Sequence, residues 1–173
     1  MTTPTIPTTI NPLSPNGFML TVNKLPDLSY FCQQANLPAI NLGVADFTTP
    51  LSVQPIPGEM LTYDQLDVQF LVDANMANYK AIHEWIVGLG FPEKWEQYSN
   101  FISHDTYART ELSKNFSDAT LSILSATNMV VQTIEFKDLF PISLESLVFQ
   151  STNTDVTYLT GHVVFRYGYY KFL

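Results

Sequence analysis

From Glu135 to Phe149 the chain reads EFKDLFPISLESLVF, strand-like alternation with a proline in its middle. Ile134 and Phe136 lead into Phe140-Pro141, and Leu144 and Val148 lead out. Proline lacks the N–H that a β-ladder uses and pushes its predecessor away from helical geometry. The pattern therefore predicts a structural corner at Phe140 and Pro141. One strand would end there and a second, residues 144–150, would begin.

The rest of the last third also reads as β. Residues 119–126 and 130–136 alternate around a short turn and predict a hairpin. Residues 156–173 predict one long closing strand, with Leu159, Val163, Phe165, Tyr167 and Tyr169 on one face and Thr160, His162, Val164 and Arg166 on the other. Upstream, 18–25 and 28–34 predict a hairpin turning at Pro26-Asp27, and 65–73 a half-buried strand. One segment changes period. Met76, Tyr79, Ile82, Ile86 and Leu89 fall on a helical face, with Asp73 or Asn75 to cap it and Gly88 and Gly90 to end it. The fold class expected is mainly β (α+β), an antiparallel β-barrel or sandwich with one principal α-helix at about 75–88.

Three stretches escape this pattern. Residues 1–17 hold four prolines, five threonines and no charge, and read as an extended N-terminal arm. Residues 44–64 contain Pro50, Pro55 and Pro57 and read as a long loop whose prolines limit internal pairing. Its apolar residues Phe47, Leu51, Val53, Ile56, Met60 and Leu61 are the candidate subunit interface. Residues 91–118 read as a loopy insertion with a helical turn at 93–101. A domain spanning 18–173 would carry both segments.

Charge restricts the partners. The net charge is −8, from 8 Lys+Arg against 16 Asp+Glu, and the basic residues are scattered. Tight phosphate-backbone binding draws on a concentrated basic footprint, so direct nucleic-acid recognition is disfavoured. Charged residues make up only 14% of the chain, against about a quarter in a typical domain, which favours surface covered by partners. No stretch reaches the ~20 apolar residues of a membrane helix, and the N-terminus lacks a signal-peptide pattern. The expected setting is a reducing cytosol. Cys32, the single cysteine, excludes an internal disulfide and reads as a small buried apolar side chain.

No catalytic, cofactor-binding or metal-binding residues are indicated. His83-Glu84 begins like a zinc-protease signature, but Val87 stands where the second histidine belongs. Gly88-Leu-Gly90 follows a helix rather than a strand and is no phosphate cradle. Asp64, Asp67 and Asp73 are ordinary on the wet face of a strand. Asn115-Phe-Ser matches a glycosylation acceptor, relevant only to a secreted protein. The tyrosines of RYGYYKF alternate as packing residues do.

The order of elements resembles the tail-tube protein family of contractile-tailed bacteriophages, whose fold is shared by type VI secretion tube proteins. The stretches that carry it are GFMLTVNKLPDLSYFCQQANLPAI, LDVQFLVDAN, NYKAIHEWIVG, TIEFKDLFPISLESLVFQS and VTYLTGHVVFRYGYYKF. Ile134, Phe136, Lys137, Leu139, Phe140, Pro141, Leu144 and Leu147 match the family's segment joining two strands before the last. The resemblance spans about 16–173; the arm and the 91–118 insertion depart from a minimal tube subunit.

The resemblance implies a structural virion protein forming a homo-oligomeric, hexameric ring that stacks into the tail tube. Sheets would join across subunits, with a helix outside. Its partners would be other tail proteins (sheath, baseplate or neck), with viral DNA only as passing cargo and no membrane. An acidic lumen would repel DNA. A tube-initiator ring in the baseplate, a tube-terminator ring at the neck, and a small-ligand-binding β-barrel are the alternatives.

Overall fold

The computed structural model describes residues 13–90, 115–151 and 157–173. The arm up to residue 12, most of the 91–118 insertion with its expected helical turn, and residues 152–156, which include the first residue of the expected closing strand, lie outside the described residues.

The elements run β1 (Phe18–Val22), α1 (Pro26–Phe31), β2 (Cys32–Ala35), β3 (Ile40–Thr48), β4 (Val53–Tyr63), β5 (Leu66–Leu71), α2 (Ala77–Gly90), β6 (Ser117–Leu124), β7 (Val130–Leu144), β8 (Thr160–Arg166) and β9 (Tyr169–Phe172). Strands pair antiparallel in the order β1-β6-β7-β8-β5-β2, with β9 also on β7; β3 and β4 form a separate two-stranded ribbon. The mainly β fold with a principal helix is as expected.

The core follows the period-2 rule of strands. On β5, Leu66, Val68 and Phe70 are sealed from solvent, while Asp67, Gln69 and Leu71 are half-exposed. They pair with Phe165, Val163 and Gly161 of β8. Gly161 is required there, because a Cβ at that position would lie 2.6 Å from the Phe70 ring. From the other half of the sheet come Leu20, Val22, Ala119, Leu121, Ile134, Phe136 and Leu139. The helix α2 closes the core with Ile82 and Trp85, the indole ring 6.3 Å from Phe165. Its buried face is Asn78, Ile82, Trp85 and Gly88, so Trp85 replaces the predicted Met76, which is exposed and precedes the helix. No cap by Asp73 or Asn75 is seen. Instead the Asn78 amide donates to the Leu71 carbonyl at 2.7 Å and accepts from the Asp73 N–H at 3.2 Å.

Three strand expectations are corrected. First, 18–25 and 28–34 do not form a hairpin. Pro26 and Asp27 open the helix α1, where proline's missing N–H is no loss and the aspartate complements the dipole. The flanking strands then diverge, β1 to β6 and β2 to β5. Second, Phe140-Pro141 does not end a strand. Chain 130–144 is one strand that changes partner: β6 flanks it up to Leu139, and β8 pairs with it from Phe140. A register shift between Pro141 and Ser143 relieves the ladder at the proline, the kind of irregularity that admits one. Residues 145–150 then form no strand. Third, the closing strand breaks at Tyr167-Gly168 into β8 and β9. Both still align with β7 in one register, Phe140 opposite Arg166 and Lys137 opposite Tyr169. The break moves the inward phase, so Tyr170 packs on the core while Tyr169 is exposed.

Candidate assembly surface

The predicted loop 44–64 is a regular hairpin, β3 on β4, separate from the seven-stranded sheet. Its prolines did not prevent pairing because of where they fall. Pro50 lies in the connection, while Pro55 and Pro57 lie opposite Asp46 and Val44. The Thr49 N–H bonds the Ser52 carbonyl at 2.9 Å, which sets the alternation of the ladder. Pairs 45/56 and 47/54 then exchange hydrogen bonds, and pairs 44/57 and 46/55 point theirs outward. Both prolines occupy positions with no bond to donate. At the tip, the Thr49 hydroxyl donates to the Ser52 carbonyl at 2.7 Å and accepts the Ser52 N–H at 3.1 Å. A register shift at Gly43 brings two glycine backbones together. A Cβ on Gly58 would stand 2.7 Å from the Gly43 oxygen.

All the predicted interface residues lie on this hairpin and are exposed: Phe47, Val53, Ile56, Met60 and Leu61 at 45–72%, and Leu51 at the tip at 97%. Sequence reasoning missed Ile40, Leu42 and Val44, which are exposed on β3. Ile40 and Leu42 lie just ahead of the predicted loop and Val44 opens it; the alternation in INLGV is their signal. The register puts Ile40, Leu42, Val44, Val53 and Leu61 on one face of the ribbon and Phe47 and Ile56 on the other, so both faces expose apolar side chains.

The hairpin is seated at its base. The Tyr63 ring lies 5.9 Å from Tyr167 and 5.6 Å from Tyr170, and these meet buried Phe136 edge-on and tilted respectively. The Tyr170 hydroxyl donates to the Pro38 carbonyl at 3.2 Å. Asn36 binds the Asp67 N–H through its side-chain oxygen at 2.8 Å and donates to the Gln65 carbonyl at 3.1 Å, locking the entry to β5. The aromatic alternation of RYGYYKF is thus a packing pattern, as read.

The structural corner residues are half-buried Phe140, whose ring meets Phe116 edge-on at 5.6 Å, and buried Pro141. Just before them, Asp138 adopts φ 56° at a register shift in the β6–β7 ladder. Lys137 is held by Asp118 at 2.6 Å and Glu135 at 2.8 Å, and Lys171 meets the other Glu135 oxygen at 2.8 Å. The two ammonium groups hold the Glu135 carboxyl below the usual range. This cluster ties together β6, β7 and β9.

A polar groove of about 300 Å³ lies on the opposite half of the sheet, lined by Gln34, Asp67, Gln69, Glu145 and His162. His162 Nδ1 is 3.1 Å from Glu145, though not aligned for a hydrogen bond, and Nε2 is 3.9 Å from Asp67. His83 is exposed on α2, and His104 lies outside the described residues. Cys32 is half-buried, and burial pushes its thiol up to about 11, which suppresses the nucleophilic thiolate. Among the described residues, no cluster of His, Cys, Asp and Glu is placed to hold a metal ion. No helix among them is long and apolar enough to cross a membrane.

A family model described as "Phage tail tube protein" matches residues 1–173. No curated protein matches the chain in sequence. Solved structures share the fold at low identity. A chain of the anti-feeding prophage baseplate superposes with TM-score 0.65 at 12% identity, covering 95% of this chain and 97% of that one. A chain of the extended sheath–tube complex of the PVC extracellular contractile injection system gives 0.58 at 15%, covering 95% and 93%. A chain of the same system's sheath/tube terminator gives 0.58 at 16%, covering 94% and 97%.

Proposed function

This chain belongs to the phage tail tube protein family, and from that premise we propose that it forms a hexameric, stacking ring of the tail tube, a conduit through which the viral genome passes. Its role is structural rather than catalytic. The observation that carries the reading is the hairpin Ile40–Tyr63, an ordered ribbon whose apolar residues are exposed. A strand pair of this kind is marginal in water by itself. Burial at about 25 cal/mol per Å² of apolar area gives it reason to exist once a neighbour covers it. Head-to-tail contacts that close by rotation make rings, and neighbours in the virion would be sheath, baseplate or neck proteins. Assembly would take place in the host cytoplasm.

A second reading places the ring at a tube end. It is favoured by the superposition on a baseplate chain and on a sheath/tube terminator chain with nearly complete coverage. Solution mass and electron microscopy of the purified full chain test the common core of both. Rings or stacked rings are expected, and deletion of 48–57 should leave a folded subunit that no longer assembles. A stable monomer, or a closed two-fold dimer, would overturn the hexamer. Normal assembly of the deletion would remove the hairpin from it.

A further inference from the structure

The two edges of the exposed hairpin are chemically unequal. By the alternation set at Thr49 and Ser52, the outward-pointing backbone groups of β3 belong to Leu42, Val44, Asp46 and Thr48. Each of these residues carries an N–H and a C=O, so that edge offers an unbroken row of donors and acceptors. On β4 the outward groups are those of Val53, Pro55 and Pro57, after which the strand is displaced by the shift between Leu42 and Val44. Two successive donors are missing and the row is then bent. Proline and irregularity are the devices that keep a strand edge from accepting another strand.

We propose that the outer edge of β3, and not that of β4, pairs main chain to main chain with a strand of a second copy of this chain. The inference rests on the hairpin being an assembly element, and adds which side of it is used. A second copy is the occupant favoured by charge. The chain carries −8 overall, yet from Ile40 to Tyr63 only Asp46 and Glu59 are charged. Copies of an acidic protein repel, and this arm is where the repulsion is least. Main-chain pairing is also indifferent to charge. One open edge and one blocked edge let each hairpin accept a single strand, so the ribbon extends a neighbour's sheet without growing into an open-ended one.

Residue-resolved amide exchange on the full chain, assembled and dissociated, tests this. The amides of Leu42, Val44, Asp46 and Thr48 should exchange at least about tenfold more slowly in the assembly, while Val53 keeps its dissociated rate. Asp46→Pro removes one outward donor at an edge position that proline tolerates, and should weaken assembly by about tenfold with the fold unchanged by circular dichroism. Exchange at those amides that is equal in both states, or slowing at Val53 in their place, overturns the proposal. If rings form without that protection, only the edge assignment falls. If the full chain never assembles, the hairpin's role falls first and the edge assignment with it.

Discussion

The main sheet and the hairpin are written in the same local code and meet opposite fates. On β5 and β8, alternate residues Leu66, Val68, Phe70, Val163 and Phe165 are completely buried. On β3, Ile40, Leu42 and Val44 alternate just as regularly and are all exposed. Alternation builds an amphipathic strand in both places. What differs is the cover, which the subunit supplies for the main sheet and withholds from the hairpin. The sheet's apolar pattern is used in folding, and the hairpin's remains exposed.

The sharpest break of this comparison is a pair of phenylalanines. Phe165→Ala empties a sealed core position and should cost about 3–5 kcal/mol in a denaturant titration. Phe47→Ala should change subunit stability by less than about 0.5 kcal/mol while impairing assembly. If Phe47→Ala lowers the unfolding midpoint as far as Phe165→Ala does, the hairpin belongs to the folding core. Phe140→Ala sharpens the boundary, because its ring is half-buried against Phe116 where β7 changes partner. A loss of about 2 kcal/mol is expected, below a full core truncation. Pro141→Ala should cost less, since proline acts largely by restricting the unfolded chain. A Phe140→Ala variant as stable as wild type would show that this ring contributes no packing.

The smallest effect concerns pH. Lys137 and Lys171 lower the folded Glu135 pKa below its ordinary 4.5. A depressed carboxylate pKa contributes stability above the unfolded pKa and loses it as pH falls through the folded value. The acid limb of stability should therefore steepen below about pH 4.5. In Glu135→Gln that part of the dependence should vanish, with no change in assembly at neutral pH. Identical acid titrations for both proteins would mean that the cluster is solvated equally in the unfolded chain.

Much of the main sheet was legible because its signals are local. The strands around 66–71, 119–124, 130–136 and 160–166 and the helix near 77–90 all showed their period. The candidate surface was half legible: its apolar residues were found, but its form was misread as a loop. In the sequence alone, Pro55 and Pro57 read as obstacles to pairing. A proline's effect depends on whether its nitrogen faces the partner strand, and that is a matter of register.

By itself, then, the sequence determined the strands at 66–71, 119–124 and 160–166, the first half of β7, the principal helix, and most of the residues they bury. These follow from steric preferences and apolar periodicity over a few neighbouring residues. Only the tertiary structure decided that Pro26 opens a helix, that β1 pairs with β6 rather than β2, and that β7 runs through Pro141 by exchanging partners. It also decided that β3 and β4 pair only with each other among the described residues. Each of those choices joins residues far apart in the chain. Each is settled by which arrangement closes a shared core at least cost in unpaired backbone groups, a quantity no local window contains.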